Sequence, residues 1–248
     1  MNQVELYNIE YVYNSRGFRD LEWPSSTEDL KDAIWCIGDS FTVGVGAPFE
    51  HTWPHRLGKL ANKRIVNVSM DGASNQWIAR TVEKIVQAIN PTNIVIMWSY
   101  THRRELDNSS LDDERRRLHH TTRRTNLNPV ADWENFLDCK NRVDLITNSV
   151  QFAVPGFHSD LLNINKCWNS IKEPGWPQAP STLEELNLLP ARILDELTNL
   201  HKLMDQIQKT LKSGILQTDN LDFGRDGHHF DIITADWVAE LALPRLSL

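Results

Sequence analysis

Apolar and polar positions change spacing several times along the chain, and each change marks an element. Residues 1–32 alternate at Val4, Leu6, Ile9, Tyr11 and Tyr13, which predicts short strands or an extended arm ahead of the Asn14-Ser15-Arg16-Gly17 turn. Residues 34–38 are a continuous apolar run ending in Gly38, the pattern of a strand buried on both faces. Arg64–Ser69 and Ile94–Trp98 read as the second and third strands. Between them, Thr52-Trp53-Pro54 opens one helix, with Thr52 as cap and Pro54 in the first turn. Ser74 or Asn75 caps another, whose Ile78, Val82, Ile85, Val86 and Ile89 recur at helical spacing up to Asn90-Pro91. Strand, helix, strand, helix, strand in this order predicts parallel βαβ crossovers.

The second half is less regular. A charged helix with a loop before it is expected over 102–126, and a further helix over Trp133–Val150. Pro155–Ser181 is rich in Pro, Gly and Asn and reads as an ordered insertion or lid. Thr182-Leu183-Glu184-Glu185 is a capping box before a helical run from Leu186 to Leu211, kinked or divided at Pro190. A strand is possible within Leu216–Phe223, and the last helix spans about Thr234 to Leu243, with Asp231 as its cap.

Bulk properties narrow the class. The chain has 248 residues, 40% hydrophobic and 24% charged, enough for a sizeable folded core. A formal net charge of −7 argues against general nucleic-acid binding. Three widely spaced cysteines form no disulfide framework, and Cys36 belongs to the first buried strand. No apolar run approaches a membrane span and no signal segment is seen, so a cytoplasmic location is expected.

The chemistry concentrates at two places. Ser40 follows the first buried strand, where open α/β sheets place their ligands, and is a candidate nucleophile. Serine needs a base, and the base needs an orienting group. Asp226 and His229 lie three residues apart near the other end of the chain, a spacing that can bring both side chains to one side of a turn. Two adjacent histidines with aspartates nearby also suggest a metal, but no outside ligand set accompanies them and none is assigned. A phosphate loop at Gly38–Gly46 lacks both the Lys-Ser/Thr ending and the Gly-x-Gly-x-x-Gly spacing.

On these residues the chain resembles the GDSL esterase/lipase family, also called SGNH hydrolases. Its first block corresponds to Gly38-Asp39-Ser40 with Phe41-Thr42-Val43-Gly44, its second to the stretch around Gly72, and its last to Asp226-Gly227-His228-His229. Asn14–Asp20 is similar to the lead-in of many bacterial members. The likeness covers about the first hundred residues and the last thirty. It implies a three-layer α/β/α sandwich with a parallel, flavodoxin-like sheet, taken as one domain over 1–248 with a divergent insertion at about 102–181. It also implies a serine esterase without cofactor, acting on a small-molecule or carbohydrate ester. The small, polar surroundings expected around Ser40 favour a short acyl group such as acetyl.

Role by role, the resemblance implies Ser40 as nucleophile, His229 as general base and Asp226 as its orienting acid. The amides of Ser40 and Gly72 would hold the oxyanion. Asp39 would be structural, bonded to turn amides, and is kept among the residues bordering the substrate. The family's third block, Gly-x-Asn-Asp, is absent: Met97-Trp98-Ser99-Tyr100-Thr101-His102-Arg103 stands there instead. Asn75 is the expected substitute donor, with Ser99 and Thr101 as others. Trp98, Ser99, Thr101, Arg103 and His228 are expected to border the substrate, and Trp168 and Trp176 are stacking candidates. The missing asparagine also sustains a rival, an inactive module of this fold that binds glycan or a protein partner.

Overall fold

The computed structural model describes residues 9–103, 105, 129–157, 202, 209, 214–219 and 221–248. Five strands form one sheet: β1 (Ile34–Gly38), β2 (Ile65–Ser69), β3 (Asn93–Trp98), β4 (Val150–Ala153) and β5 (Ile215–Gln217). Every pairing is parallel, and the spatial order is β2-β1-β3-β4-β5. This is the flavodoxin-like order, in which the chain reverses its direction of travel between β1 and β3. The strands β1, β2 and β3 are buried at every position, as strands covered on both faces must be.

Helices supply both covers. On one face α2 (Trp53–Ala61) packs on α5 (Ile232–Ala242). On the other, α3 (Asn75–Ala88) packs on α4 (Pro129–Asp144). A single turn of helix, α1 (Ser40–Val43), follows β1 directly. The architecture is a three-layer α/β/α sandwich with a parallel central sheet.

The expected starts of α2 and α3 hold, but for partly different reasons. Ser74 caps α3 by accepting from the Trp77 amide at 3.1 Å. Thr52 occupies the cap position of α2 without a side-chain cap bond, because its hydroxyl donates to the Phe49 carbonyl. The helix expected over Trp133–Val150 lies further forward: α4 ends at Asp144, and Val150 begins β4. A four-residue strand of mixed polarity after a helix carries too little period to be separated from it. Asp231 sits at the N-cap of α5 without a side-chain cap bond. Asp222 caps it instead, accepting from the Ile233 and Thr234 amides at 2.8 Å each. Residues 9–13 carry no strand and run as an arm. Most of 102–126, 158–181, Trp168, Trp176 and nearly all of Leu186–Leu211 lie outside the described residues.

Candidate active site

Open parallel sheets place ligands beyond the carboxyl ends of the strands where the chain reverses, here β1 and β3. Ser40 follows β1 and Ser99–Arg103 follow β3, so both lie at that end of the sheet. The turn into Ser40 is tight. A Cβ on Gly38 would lie 2.1 Å from the Thr42 hydroxyl, since α1 folds back over the strand end. Asp39 caps α1, its Oδ1 accepting from the Phe41 amide at 3.1 Å. Ser40 is 1% exposed, and its carbonyl accepts from the Gly44 and Val45 amides. Its own N–H is the first of α1 and has no acceptor among the described residues, and neither has that of Gly72.

Asp226 and His229 are joined as the spacing suggests. His229 Nδ1 lies 2.5 Å from Asp226 Oδ2, and Asp226 Oδ1 accepts from the His228 and His229 amides at 3.0 Å each. Burial pushes the Asp226 carboxyl up, but the His229 ring and these two amides outweigh it and hold it below the usual carboxylate value. An imidazole that donates Nδ1–H to a carboxylate keeps Nε2 as the acceptor.

The loop carrying this pair is seated on the loop that follows Ser40. The Arg225 amide donates to the Gly46 carbonyl at 3.0 Å. A Cβ at Gly46, where φ is +83°, would meet Asp226 Oδ1 at 2.9 Å. The His229 ring lies against Phe41, the residue after Ser40, with centroids 4.6 Å apart. No hydrogen bond joins the Ser40 hydroxyl to His229 in this structure.

Several expected substrate neighbours prove to be interior. Trp98 is 0% exposed, and its indole N–H donates to Gln151 Oε1 at 2.9 Å, so it belongs to the core rather than to the mouth. It is the last residue of a strand covered on both faces, and a strand end here is not a surface. Asp39 is equally buried and faces no solvent: besides Phe41 it accepts from the Ser99 hydroxyl at 2.6 Å and Arg103 Nη1 at 2.8 Å. Ser99 is thereby occupied, and Arg103 turns inward to an ion pair. Thr101 is buried. Asn75 brackets the end of β3, its Nδ2 donating to the Ser99 and Tyr100 carbonyls at 3.0 and 3.4 Å and its Oδ1 accepting from the Ser99 amide at 2.9 Å. An oxyanion bond from Asn75 would have to displace one of these. His228 is exposed, and its ring lies 5.5 Å from Phe41 and 4.8 Å from His229.

Residues outside the expected set complete the surroundings. Arg19 is 1% exposed and has no carboxylate partner among its hydrogen bonds. Its guanidinium donates to the carbonyls of Val43, Gly44 and Ala47 at 3.2, 2.6 and 2.9 Å, straight across the loop that seats Asp226. Burial lowers its pKa from the ordinary arginine value. Tyr11 lies under that guanidinium at 4.4 Å, and its hydroxyl oxygen accepts from the Gly46 amide at 2.8 Å. The lead-in around Asn14–Asp20 was the available signal for Arg19, though no pattern in it points to three carbonyls. A cavity of about 410 Å3 lined by His55, Lys59, Lys63 and Arg64 opens beside α2 and β2 and includes none of the residues named for catalysis.

The parallel 2-1-3-4-5 sheet, with Ser40 following β1 at its reversal point and the Asp226–His229 loop seated on the loop after it, defines the fold as a three-layer α/β/α sandwich. No family model matches the chain, and no curated protein matches it. Solved structures do. A lipolytic protein of the G-D-S-L family from Veillonella parvula is 12% identical over 86% of this chain and 99% of its own, with a TM-score of 0.45. TesA is 13% identical over 87% and 98%, also at 0.45. A carbohydrate esterase family 2 enzyme with a carbohydrate-binding domain, from Corynascus thermopiles (Myceliophthora fergusii), is 12% identical over 90% and 67%, again at 0.45. At such identities and scores the likeness is one of outline.

Proposed function

We propose that the chain is a serine esterase in which Ser40 attacks the ester carbonyl. His229 Nε2 takes the serine proton and returns it to the departing alcohol. Asp226 holds the ring in the tautomer that makes this possible. The Ser40 and Gly72 amides hold the oxyanion, and Asn75 joins them if it releases Tyr100. Water then repeats the sequence on the acyl-enzyme. A short acyl group such as acetyl, carried on a small molecule or a carbohydrate, is the substrate class that suits a nucleophile set in the tightly packed turn at Ser40. The observation that carries the reading is the Asp226–His229 bond, with the His229 ring lying against Phe41 beside the serine. The Ser40–His229 hydrogen bond would have to form on binding, as such bonds often tighten only in the substrate complex.

A second reading has its own observation. The Asn75 amide is already engaged on both sides, and one oxyanion donor is worth about 10²–10³ in rate. A module of this fold that binds glycan without turnover would show the same geometry. Acetate release from 4-nitrophenyl acetate and from an O-acetylated oligosaccharide separates the two. Turnover that disappears in Ser40→Ala and His229→Ala supports the esterase; saccharide binding by folded wild type without any release supports the module.

A further inference from the structure

Asp39 poses an electrostatic problem that the esterase reading leaves open. It is a fully buried carboxylate in the residue directly before the nucleophile. Its hydrogen-bond partners are the Phe41 amide, the Ser99 hydroxyl and Arg103 Nη1, and of these only Arg103 carries charge. In the addition step a bond forms from Ser40 Oγ to the carbonyl carbon. The serine proton moves to His229, and the carbonyl π pair becomes a negative charge on oxygen. That charge develops on a group bonded to Ser40, the residue next to Asp39 in the chain, and like charges repel across a medium far less polarisable than water. A buried carboxylate deprived of its cation is also a large folding liability.

Arg103 is placed to answer both. It comes from the segment after β3, where the family that the chain resembles has its Gly-x-Asn-Asp block. Its side chain is 15% exposed against 0% for Asp39. Nη1 bonds Asp39 Oδ2 at 2.8 Å and Ser99 Oγ at 3.0 Å, while the guanidinium carbon lies 5.1 Å from the Tyr100 ring. Tyr100 in turn meets Phe41, which meets His229. The segment is stitched down again two residues later, where Glu105 pairs with Arg80 and its amide donates to Gln76.

We propose that Arg103 is a positioning residue that cancels the Asp39 charge beside the nucleophile, so that Ser40 can pass through an anionic intermediate without the family's third block. The inference rests on the esterase reading. It differs from substrate binding, the role expected of Arg103 at first, and from simple tethering of the segment.

The test is kcat and KM for 4-nitrophenyl acetate in wild type, Arg103→Lys, Arg103→Gln, Asp39→Asn and the double variant Asp39→Asn/Arg103→Gln, with melting temperatures alongside. Charge cancellation has one signature that tethering lacks: removing the carboxylate rescues loss of the arginine. Arg103→Gln is expected to lower kcat about 10–100-fold with KM nearly unchanged, and the double variant to recover at least about tenfold of that. Arg103→Lys should keep most of kcat, and melting temperature should fall in Arg103→Gln and return in the double variant. A double variant as slow as Arg103→Gln would overturn the proposal in favour of a tether. A raised KM at constant kcat would overturn it in favour of a substrate contact. If Arg103→Gln does not fold, the double variant is compared with Asp39→Asn. Similar rates support cancellation, and a dead double variant beside an active Asp39→Asn overturns it. A wild type inert toward ester overturns the esterase reading itself, a result visible before any variant is made.

Discussion

The segments Gly38–Ala47 and Asp222–Asp231 carry the proposed nucleophile and the proposed base, and they are held in opposite ways. In the first, Asp39, Ser40, Phe41, Thr42 and Val43 are all buried. The segment runs off the end of a central strand and is gripped by Asp39 from within and Arg19 from behind. In the second, Arg225, Asp226, Gly227 and His228 are exposed and only Gly224, His229 and Phe230 are covered. That loop closes on itself through the Gly224 amide and His229 carbonyl at 2.7 Å and a bridge between Phe223 and Phe230, and it touches the first segment chiefly at Gly46 and Phe41. The contrast teaches where precision is built in. The serine is fixed by the core, whereas the imidazole is fixed by its own carboxylate and one backbone seat.

Changes that sever the two segments chemically should have the largest effect. Asp226→Asn keeps the shape but loses the carboxylate that selects the His229 tautomer, and kcat is expected to fall about 10³–10⁴-fold with only a small fall in melting temperature at neutral pH. A steady-state assay beside a melting curve reads both, and unchanged turnover would remove Asp226 from the mechanism.

Next comes the seat. Gly46→Ala puts a methyl against Asp226 Oδ1 and demands a left-handed backbone at φ +83°. Turnover should fall about 10–100-fold, consistent with an ångström-scale displacement of the base. Gly214→Ala serves as control: it also sits at positive φ, +142°, but a Cβ there meets nothing within 4 Å. If both variants lose activity equally, backbone strain rather than the Asp226 seat explains the effect.

Arg19→Met tests the grip on the first segment. Three carbonyls would lose their buried donor, and unfolding free energy should fall by about 3 kcal/mol or more, measured by urea denaturation. Trp98→Ala should match it at about 3–5 kcal/mol while leaving KM alone, since the ring is core and not mouth.

The smallest effect concerns acid stability. The Asp226 carboxyl is held below its ordinary value of 3.8 in the fold. Its contribution is therefore present above that value and lost as pH falls through the depressed one. Wild type and Asp226→Asn should differ slightly in melting temperature at neutral pH, with the gap beginning to close as pH falls below about 3.8 and gone below the depressed value. A gap that widens in acid would reverse the sign and contradict the paired carboxylate.

The same contrast explains what was legible in the sequence. The first segment announces itself, because a buried strand, a glycine that tolerates no Cβ and a capping aspartate leave a local pattern at Gly38-Asp39-Ser40. The three strands before residue 100 are legible for the same reason, being fully buried and rich in β-branched apolar residues. β4 and β5 are short and mixed, so period alone does not reveal them. Long-range polar pairs leave no pattern at all. Nothing near Arg103 indicates a partner 64 positions earlier, and nothing near Asp222 indicates the α5 amides it caps. Strand ends in such sheets often border ligands, which puts Trp98 among the expected neighbours, whereas its side chain is closed over by Phe136 and Gln151. Asp226 and His229 were readable as a pair from their spacing, but their dock on Gly46 was not.

The meeting of the two segments is tested most directly by intact-mass and peptide-mass measurement after exposure to a fluorophosphonate, a reagent that reacts with an activated serine. One adduct per chain on Ser40 is expected in wild type, with none there in Ser40→Ala and strongly slowed formation in His229→Ala. A folded wild type that stays unmodified, or an adduct that forms at the same rate without His229, would contradict it.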